Sequence, residues 1–164
     1  MSISILQWAE WLQNTGGSIA IRESTLLFPF IEGAHVLGIA ISVGIIVLLD
    51  VRLLGWGLRN TAVSDVFEKL RPLALFGFGL MFVTGLLLFW SEPVLCVTKV
   101  SFLVKLGLLA LAGLNALIFD RSVYPSVRNW NTAGILPSRA QFAGGASLAL
   151  WLGIIFCGRW TAYF

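Results

Sequence analysis

The chain has 164 residues, of which 58% are hydrophobic and only 12% are charged. Soluble domains carry about twice that share of charged residues, so the composition excludes an ordinary soluble protein and indicates one integral membrane domain, residues 1–164. The formal net charge of +3 reflects basic residues in the loops, which set membrane topology, and it does not indicate nucleic-acid binding.

The first element is a short amphipathic segment at about residues 3–14. Two tryptophans, Trp8 and Trp11, recur at helical spacing among polar residues. The pattern predicts a short helix, which either lies in the membrane interface or packs on the end of the bundle. The pair Gly16-Gly17 is expected to end it, and Ser24 is a candidate cap for the helix that follows.

Four apolar stretches follow, each close to the roughly 20 residues that a transmembrane helix needs. The predicted spans are residues 27–53, 72–90, 100–119 and 142–160. A separate amphipathic helix is expected from Val63 to Leu70, and Pro72 is expected to open the second span. The fold class is therefore all-α: a membrane four-helix bundle with a short N-terminal interfacial helix.

The charge distribution predicts the orientation. The loops after the first and third spans lie on one side and carry seven basic residues: Arg52, Arg59, Lys69, Arg71, Arg121, Arg128 and Arg139. The positive-inside rule makes that side cytoplasmic. Both termini are then expected on the periplasmic side of a bacterial inner membrane.

The only histidine, His35, lies about 12 Å inside the outer end of the first span at 1.5 Å per residue. Lys105 lies on the order of 9 Å inside the outer end of the third span by the same rise. The two side chains are thus expected at similar depth. An ionisable residue inside a membrane segment is a functional-site hypothesis by default.

Glu32, Gly38 and Ser42 share the helical face of His35. The two small residues allow close approach of either a neighbouring helix or a flat ligand, so packing and cofactor binding both remain open. For His35 itself the alternatives are a hydrogen-bonded packing role, a haem or metal ligand, and a proton or substrate contact.

A single histidine restricts the metal chemistry. Di-iron bundles need two Glu-x-x-His motifs with further carboxylates, and zinc sites need three or four side-chain ligands. A haem needs one protein ligand on its iron, and no c-type attachment motif is present. A haem with His35 on the iron is therefore compatible with the sequence, and Lys105, Arg22 or Arg159 are candidates for its anionic propionates.

Other polar residues are expected to be structural. Asp50 and Arg52 are interpreted as interfacial anchors, and Asn115 as an interhelical hydrogen-bonding group. Cys96 and Cys157 both lie near the outer side. A disulfide between them is one alternative, and two thiols packed as small apolar groups is the other.

Short motifs recur in an order that resembles known families. They are Glu-Gly-Ala-His-Val-Leu-Gly-Ile around His35, Arg71-Pro72, Thr84-Gly85-Leu86-Leu87, and Val-Lys-Leu-Gly-Leu-Leu around Lys105. Over about residues 26–120 the chain resembles small uncharacterised bacterial inner-membrane proteins. These relate loosely to CopD-type membrane domains and to HemJ-type protoporphyrinogen oxidases. In the HemJ family a first-helix histidine binds haem b and a lysine opening a later helix is needed for activity. The resemblance implies these roles for His35 and Lys105.

Two functions are expected from these observations. The first is a haem b-binding redox protein, an oxidoreductase that exchanges electrons with a quinone or porphyrin, with His35 axial and Lys105 at a propionate or the second axial position. The second is a cofactor-free accessory subunit, held in a larger complex or a homo-oligomer. In either case the favoured expectation is that Glu32 pairs with Lys105 across neighbouring first and third spans, because an unpaired buried ion is costly. The alternatives are that Glu32 accepts the second ring N–H of His35, or that Lys105 extends outward to a propionate or a lipid headgroup.

Overall fold

The computed structural model describes residues 4–131 and 136–163, the last three of these by their backbone alone. The chain begins with two short helices, α1 (Ile5–Gln13) and α2 (Gly16–Glu23). The next elements are α3 (Leu27–Leu53), α4 (Val63–Ser91), α5 (Pro93–Thr98), α6 (Val100–Ile118) and α7 (Ser138–Tyr163). A π-helical turn, Phe119–Val123, and a 3₁₀ turn, Tyr124–Asn129, continue α6. No β-strand occurs in the two described ranges.

Four helices are long and apolar enough to cross a membrane, which confirms the predicted all-α membrane four-helix bundle. They are α3, α4, α6 with the turns that continue it, and α7, called spans one to four below. The short N-terminal helix is also present, and Ser4 and Gln7 form a capping box at its start. Gly16 begins α2 instead of ending a helical region, so the break falls at Asn14-Thr15.

Span two begins earlier than the sequence predicts. Val63 to Leu70 does not form a separate helix, because α4 is continuous from Val63 and contains Pro72 in its interior. An interior proline removes one backbone hydrogen bond and disfavours the helix. Here Val63, Val66 and Phe67 are buried in a core cluster, and this packing outweighs the effect of the proline.

Span one packs along span two and also against span four, while span three packs against span four. Spans one and two come closest at two glycines. A Cβ on Gly38 would lie 2.8 Å from the backbone nitrogen of Met81, and a Cβ on Gly77 would lie 2.8 Å from that of Ser42. Spans one and three do not pack extensively on each other. The expectation that they are neighbours is therefore wrong, since the small residues of span one lie against span two.

The two ends of the bundle differ. The end that holds His35, called the His35 end, is covered by α1 and α2. The Ser18 hydroxyl donates to the carbonyl of Ser91 at 3.2 Å, and the indole of Trp90 donates to Thr15 at 3.0 Å. The other end, called the Asp50 end, contains the larger apolar core, to which spans one, two and four and the turns after α6 all contribute.

Candidate functional site

His35 is held by a hydrogen bond across the interface of spans one and two. Its Nδ1 lies 3.0 Å from the hydroxyl oxygen of Thr84. The single proton of that hydroxyl is donated within span two, to the carbonyl of Leu80 at 2.6 Å and that of Met81 at 3.2 Å. Because the hydroxyl proton is used within span two, we assign Thr84 as the acceptor and Nδ1 as the ring nitrogen that carries the proton. The lone pair of Nε2 is left for a ligand, as in metal-bound histidines whose other nitrogen is fixed by a hydrogen bond.

Gly85 provides the space that the imidazole occupies. A Cβ at this position would lie 3.1 Å from Cε1 and 3.6 Å from Nδ1 of His35. Any side chain at residue 85 would therefore press on the ring edge that faces span two. Thr84 fixes the ring rotation and Gly85 allows the ring to approach, so consecutive residues of span two set the position of His35.

His35 lines a cleft of about 210 Å³ at this end of the bundle. This cavity, called the His35 cleft, brings together residues of all four spans and of α5. It is lined by Phe28, Glu32, His35, Gly85, Leu88, Phe89, Glu92, Leu95, Cys96, Phe102, Lys105 and Gly158. The predicted site residues His35, Lys105 and Glu32 are therefore brought to one place.

One wall of the cleft is aromatic. Phe89 of span two stacks on Phe102 of span three, with ring centroids 5.7 Å apart. Trp8 of α1 continues the stack behind Phe89 at 6.3 Å. Offset aromatic pairs at these distances stabilise the contact beyond simple burial. The N-terminal helix is thereby coupled to the wall of the cleft.

Lys105 reaches the cleft because span four carries a glycine opposite it. A Cβ on Gly158 would lie 3.7 Å from the Lys105 Nζ, in ordinary contact. Glu32 and Lys105 do not form a salt bridge, for which the limit is 4.0 Å between nitrogen and oxygen. The expected pair is absent because the two residues sit on spans that are not packed together. Among the described residues, no carboxylate forms a salt bridge with Lys105, although its ammonium group lies in a partly buried cleft.

Gly38 and Ser42 lie outside the cleft. Ser42 is fully buried and donates to the carbonyl of Gly38 at 2.8 Å. The space above Gly38 is filled by the backbone of span two. Gly38 and Ser42 therefore serve the packing of span one against span two, which was one of the two alternatives for this helical face. A flat ligand has no room there, so the prediction that they bind a cofactor is corrected.

Cys96 contributes a thiol to the cleft. Burial, reinforced by the carboxylate of Glu92 and opposed by Lys105, raises the pKa of the Cys96 thiol to about 11. The thiol therefore stays protonated at neutral pH and is a weak nucleophile and a weak metal ligand. Cys96 and Cys157 are not joined by a disulfide.

The prediction for two residues at the opposite end is wrong. Asp50 and Arg52 are 5% and 2% exposed, so neither is an interfacial anchor. Arg52 donates to the carbonyls of Thr61 at 3.0 Å and Asn131 at 3.5 Å. Backbone carbonyls of two loop residues thus cover the guanidinium group. The sequence alone does not show that these distant residues lie beside Arg52.

Asn115 does form an interhelical hydrogen bond, donating to the carbonyl of Ala143 on span four at 3.0 Å. Sequence reasoning gave Thr84, Gly85 and Phe102 no site role. The available signal was a threonine next to a glycine within an apolar span. That pair offers a hydrogen-bonding group beside an open space.

No group of three or more His, Cys, Asp or Glu residues in the described part of the chain is arranged to hold a metal ion. Comparisons of the chain with family models, with curated proteins and with solved structures give no match.

Proposed function

We propose that the protein binds haem b in the His35 cleft, with Nε2 of His35 as an axial ligand. The observation that carries the proposal is the hydrogen bond from His35 Nδ1 to Thr84, which leaves Nε2 as the free nitrogen. An intramembrane histidine that is fixed in this tautomer and lines a cleft is suited to occupy one coordination position of a metal ion.

The other cleft residues suit an anionic, planar cofactor. The stacked rings of Phe89 and Phe102 offer an aromatic wall to a macrocycle. Lys105 supplies a positive charge with no carboxylate of the described residues within 4.0 Å, so we propose that it contacts a propionate or the second axial position. When bound, the haem supplies one-electron redox chemistry, and the protein residues hold and orient it.

The size of the cleft sets a condition on this proposal. Small-molecule sites usually measure roughly 300–1,000 Å³, whereas the cleft measures about 210 Å³. Haem binding therefore requires the cleft to widen. The proposed role is an oxidoreductase that exchanges electrons with a quinone or porphyrin, as the resemblance to HemJ-type proteins implies.

The proposed location is the bacterial inner membrane. The seven basic residues at the Asp50 end, on the ends of the spans and the segments that join them, favour the cytoplasm for that end. The His35 cleft then opens toward the periplasmic side. Fusion of a periplasm-dependent reporter to each terminus tests this orientation, and both fusions should be active.

An absorption spectrum of the protein, purified in mild detergent from haem-supplemented cells, tests the cofactor. We expect a Soret band that His35→Ala abolishes. Leu37→Ala is the matched control, because Leu37 lies on the same span and is 56% exposed. A colourless protein after reconstitution with added haem would contradict the proposal, as would a band that survives in His35→Ala.

A second function, a cofactor-free accessory subunit, rests on a different observation. Span two carries large exposed apolar side chains such as Phe76, Phe82 and Leu86, all more than half exposed. Such a face is covered either by lipid or by another subunit or a second copy of the chain. Native gel electrophoresis in mild detergent tests this function. A colourless protein that migrates only together with larger subunits supports it over the first.

A further inference from the structure

A buried carboxyl group lies at the Asp50 end of span one, far from the His35 cleft. Asp50 is 5% exposed, and its Oδ2 is the one buried side-chain oxygen or nitrogen without a hydrogen-bond partner in the described ranges. The hydroxyl of Ser147 on span four lies within hydrogen-bonding reach of the carboxyl group.

No charged residue on the neighbouring elements neutralises this group. On span one, the guanidinium of Arg52 is directed to the carbonyls of Thr61 and Asn131. On span two, Arg71 forms a salt bridge with Asp120 of the π-helical turn that follows α6. On span four, Arg139 is exposed and forms no salt bridge with Asp50.

The burial of Asp50 comes from backbone packing. A Cβ on Gly144 of span four would lie 3.1 Å from the Asp50 carbonyl oxygen and 3.1 Å from the Cβ of Leu53. Spans one and four are therefore in near-backbone contact beside the carboxyl group. Rotation of one flexible side chain cannot open a gap of this kind to water, so the low exposure is a property of the helix packing.

Burying an ionised carboxylate without a cation costs a large amount of free energy. Burying a neutral carboxylic acid that lacks one hydrogen-bond partner costs much less. We propose that Asp50 is a proton-binding site, whose buried carboxyl group carries a proton in the folded protein. The step is simple addition of a proton to a carboxylate oxygen, with no redox change. This inference does not rest on the proposed haem function.

Infrared spectroscopy of the full-length protein in detergent at pH 7 tests the proposal, because a protonated side-chain carboxyl has its own C=O stretch. We expect one such band to be lost in Asp50→Asn. Glu32→Gln is the matched control, since it removes the other acid that lies inside span one. Ser147→Ala should shift the band without removing it, because one hydrogen-bonding partner of the carboxyl is lost.

Asp50→Asn replaces the acid by a neutral group of the same shape, so its melting temperature should equal or exceed that of the wild type. If this variant does not fold, the Ser147→Ala shift and hydrogen–deuterium exchange of the wild-type band still decide the question. An unchanged band in Asp50→Asn would overturn the proposal. A band that disappears on addition of Na⁺ at constant pH would also overturn it, since the site would then bind a cation.

Discussion

Replacing Thr84 by valine tests the geometry on which the candidate site depends. Valine keeps the shape of threonine but removes the oxygen that accepts from His35 Nδ1 at 3.0 Å. Leaving a buried donor unpaired costs roughly 1–3 kcal/mol. His35 is only partly buried, so we expect a loss of stability in the lower half of that range. If haem is bound, loss of the group that orients its ligand should weaken affinity about 10–100-fold.

The first assay is thermal unfolding in detergent. For a chain of this length about 1 kcal/mol corresponds to a change of roughly 2–4 °C in Tm, so the expected decrease is a few degrees. Thr98→Val is the matched control. The Thr98 hydroxyl likewise donates to carbonyls of its own helix, those of Val94 and Leu95 at 2.8 and 3.1 Å, and contacts no histidine.

The second assay is haem titration followed by the Soret band. It should show weaker binding in Thr84→Val and unchanged binding in Thr98→Val. Equal losses of Tm in the two variants, with equal haem affinity, would refute the assignment of Thr84 as the group that orients His35.

Three further predictions follow from the packing and the charges. Gly38→Ala should lower stability by about 1–3 kcal/mol, because its methyl group would lie 2.8 Å from a backbone nitrogen of span two. Gly33→Ala meets nothing within 4 Å and should be neutral or stabilising by up to about 1 kcal/mol; equal effects in thermal unfolding would contradict the close contact. In a chain whose other cysteine is serine, maleimide labelling of Cys96 should accelerate about tenfold per pH unit from pH 7 to 9, because its pKa is about 11. A plateau below pH 9 would argue against a buried thiol. Lys105→Met and Glu32→Gln should change stability additively within about 0.5 kcal/mol, since the two groups are not paired. A coupling above about 1 kcal/mol in the double variant would show that they do pair.

The membrane helices and some local contacts could be predicted from the sequence because they depend on nearby residues. Long apolar runs gave the four spans. Ser24 accepts hydrogen bonds from the backbone of Leu26 and Leu27 at the start of span one, although the N-cap residue is Leu26. A lone amide in an apolar helix must find a partner, and Asn115 does so on span four.

The neighbours of each span could not be predicted in the same way. Small residues at Gly38 and Ser42 showed that something approaches span one closely, and either a helix or a ligand fitted the pattern. The matching glycine, Gly77, lies on span two. Nothing in the separate hydrophobic patterns of the spans indicates which pair of small faces will meet. For the same reason Glu32 and Lys105 were expected to pair across two spans that do not pack together.

Two ionisable residues near the end of span one, Asp50 and Arg52, show a second limit of sequence-based prediction. Asp50 and Arg52 lie near the end of a long helix, where charged side chains usually reach the membrane surface. Their burial depends on residues distant in the chain: Thr61 and Asn131 cover Arg52, and Gly144 admits span four beside Asp50.

Span one is the best protected of the four spans, and it carries both His35 and Asp50. Within its apolar window 44% of residues are buried inside the protein, against 11–28% for the other three spans. Hydrocarbon offers no hydrogen bonds, so a histidine or an aspartate in a membrane segment needs protein groups around it. Thr84 of span two meets this need for His35, and Ser147 of span four meets it in part for Asp50. The 15 residues between them correspond to about 22 Å of helix. The two sites therefore have separate surroundings at opposite ends of one helix, and the chemistry of each has to be explained by its own neighbours.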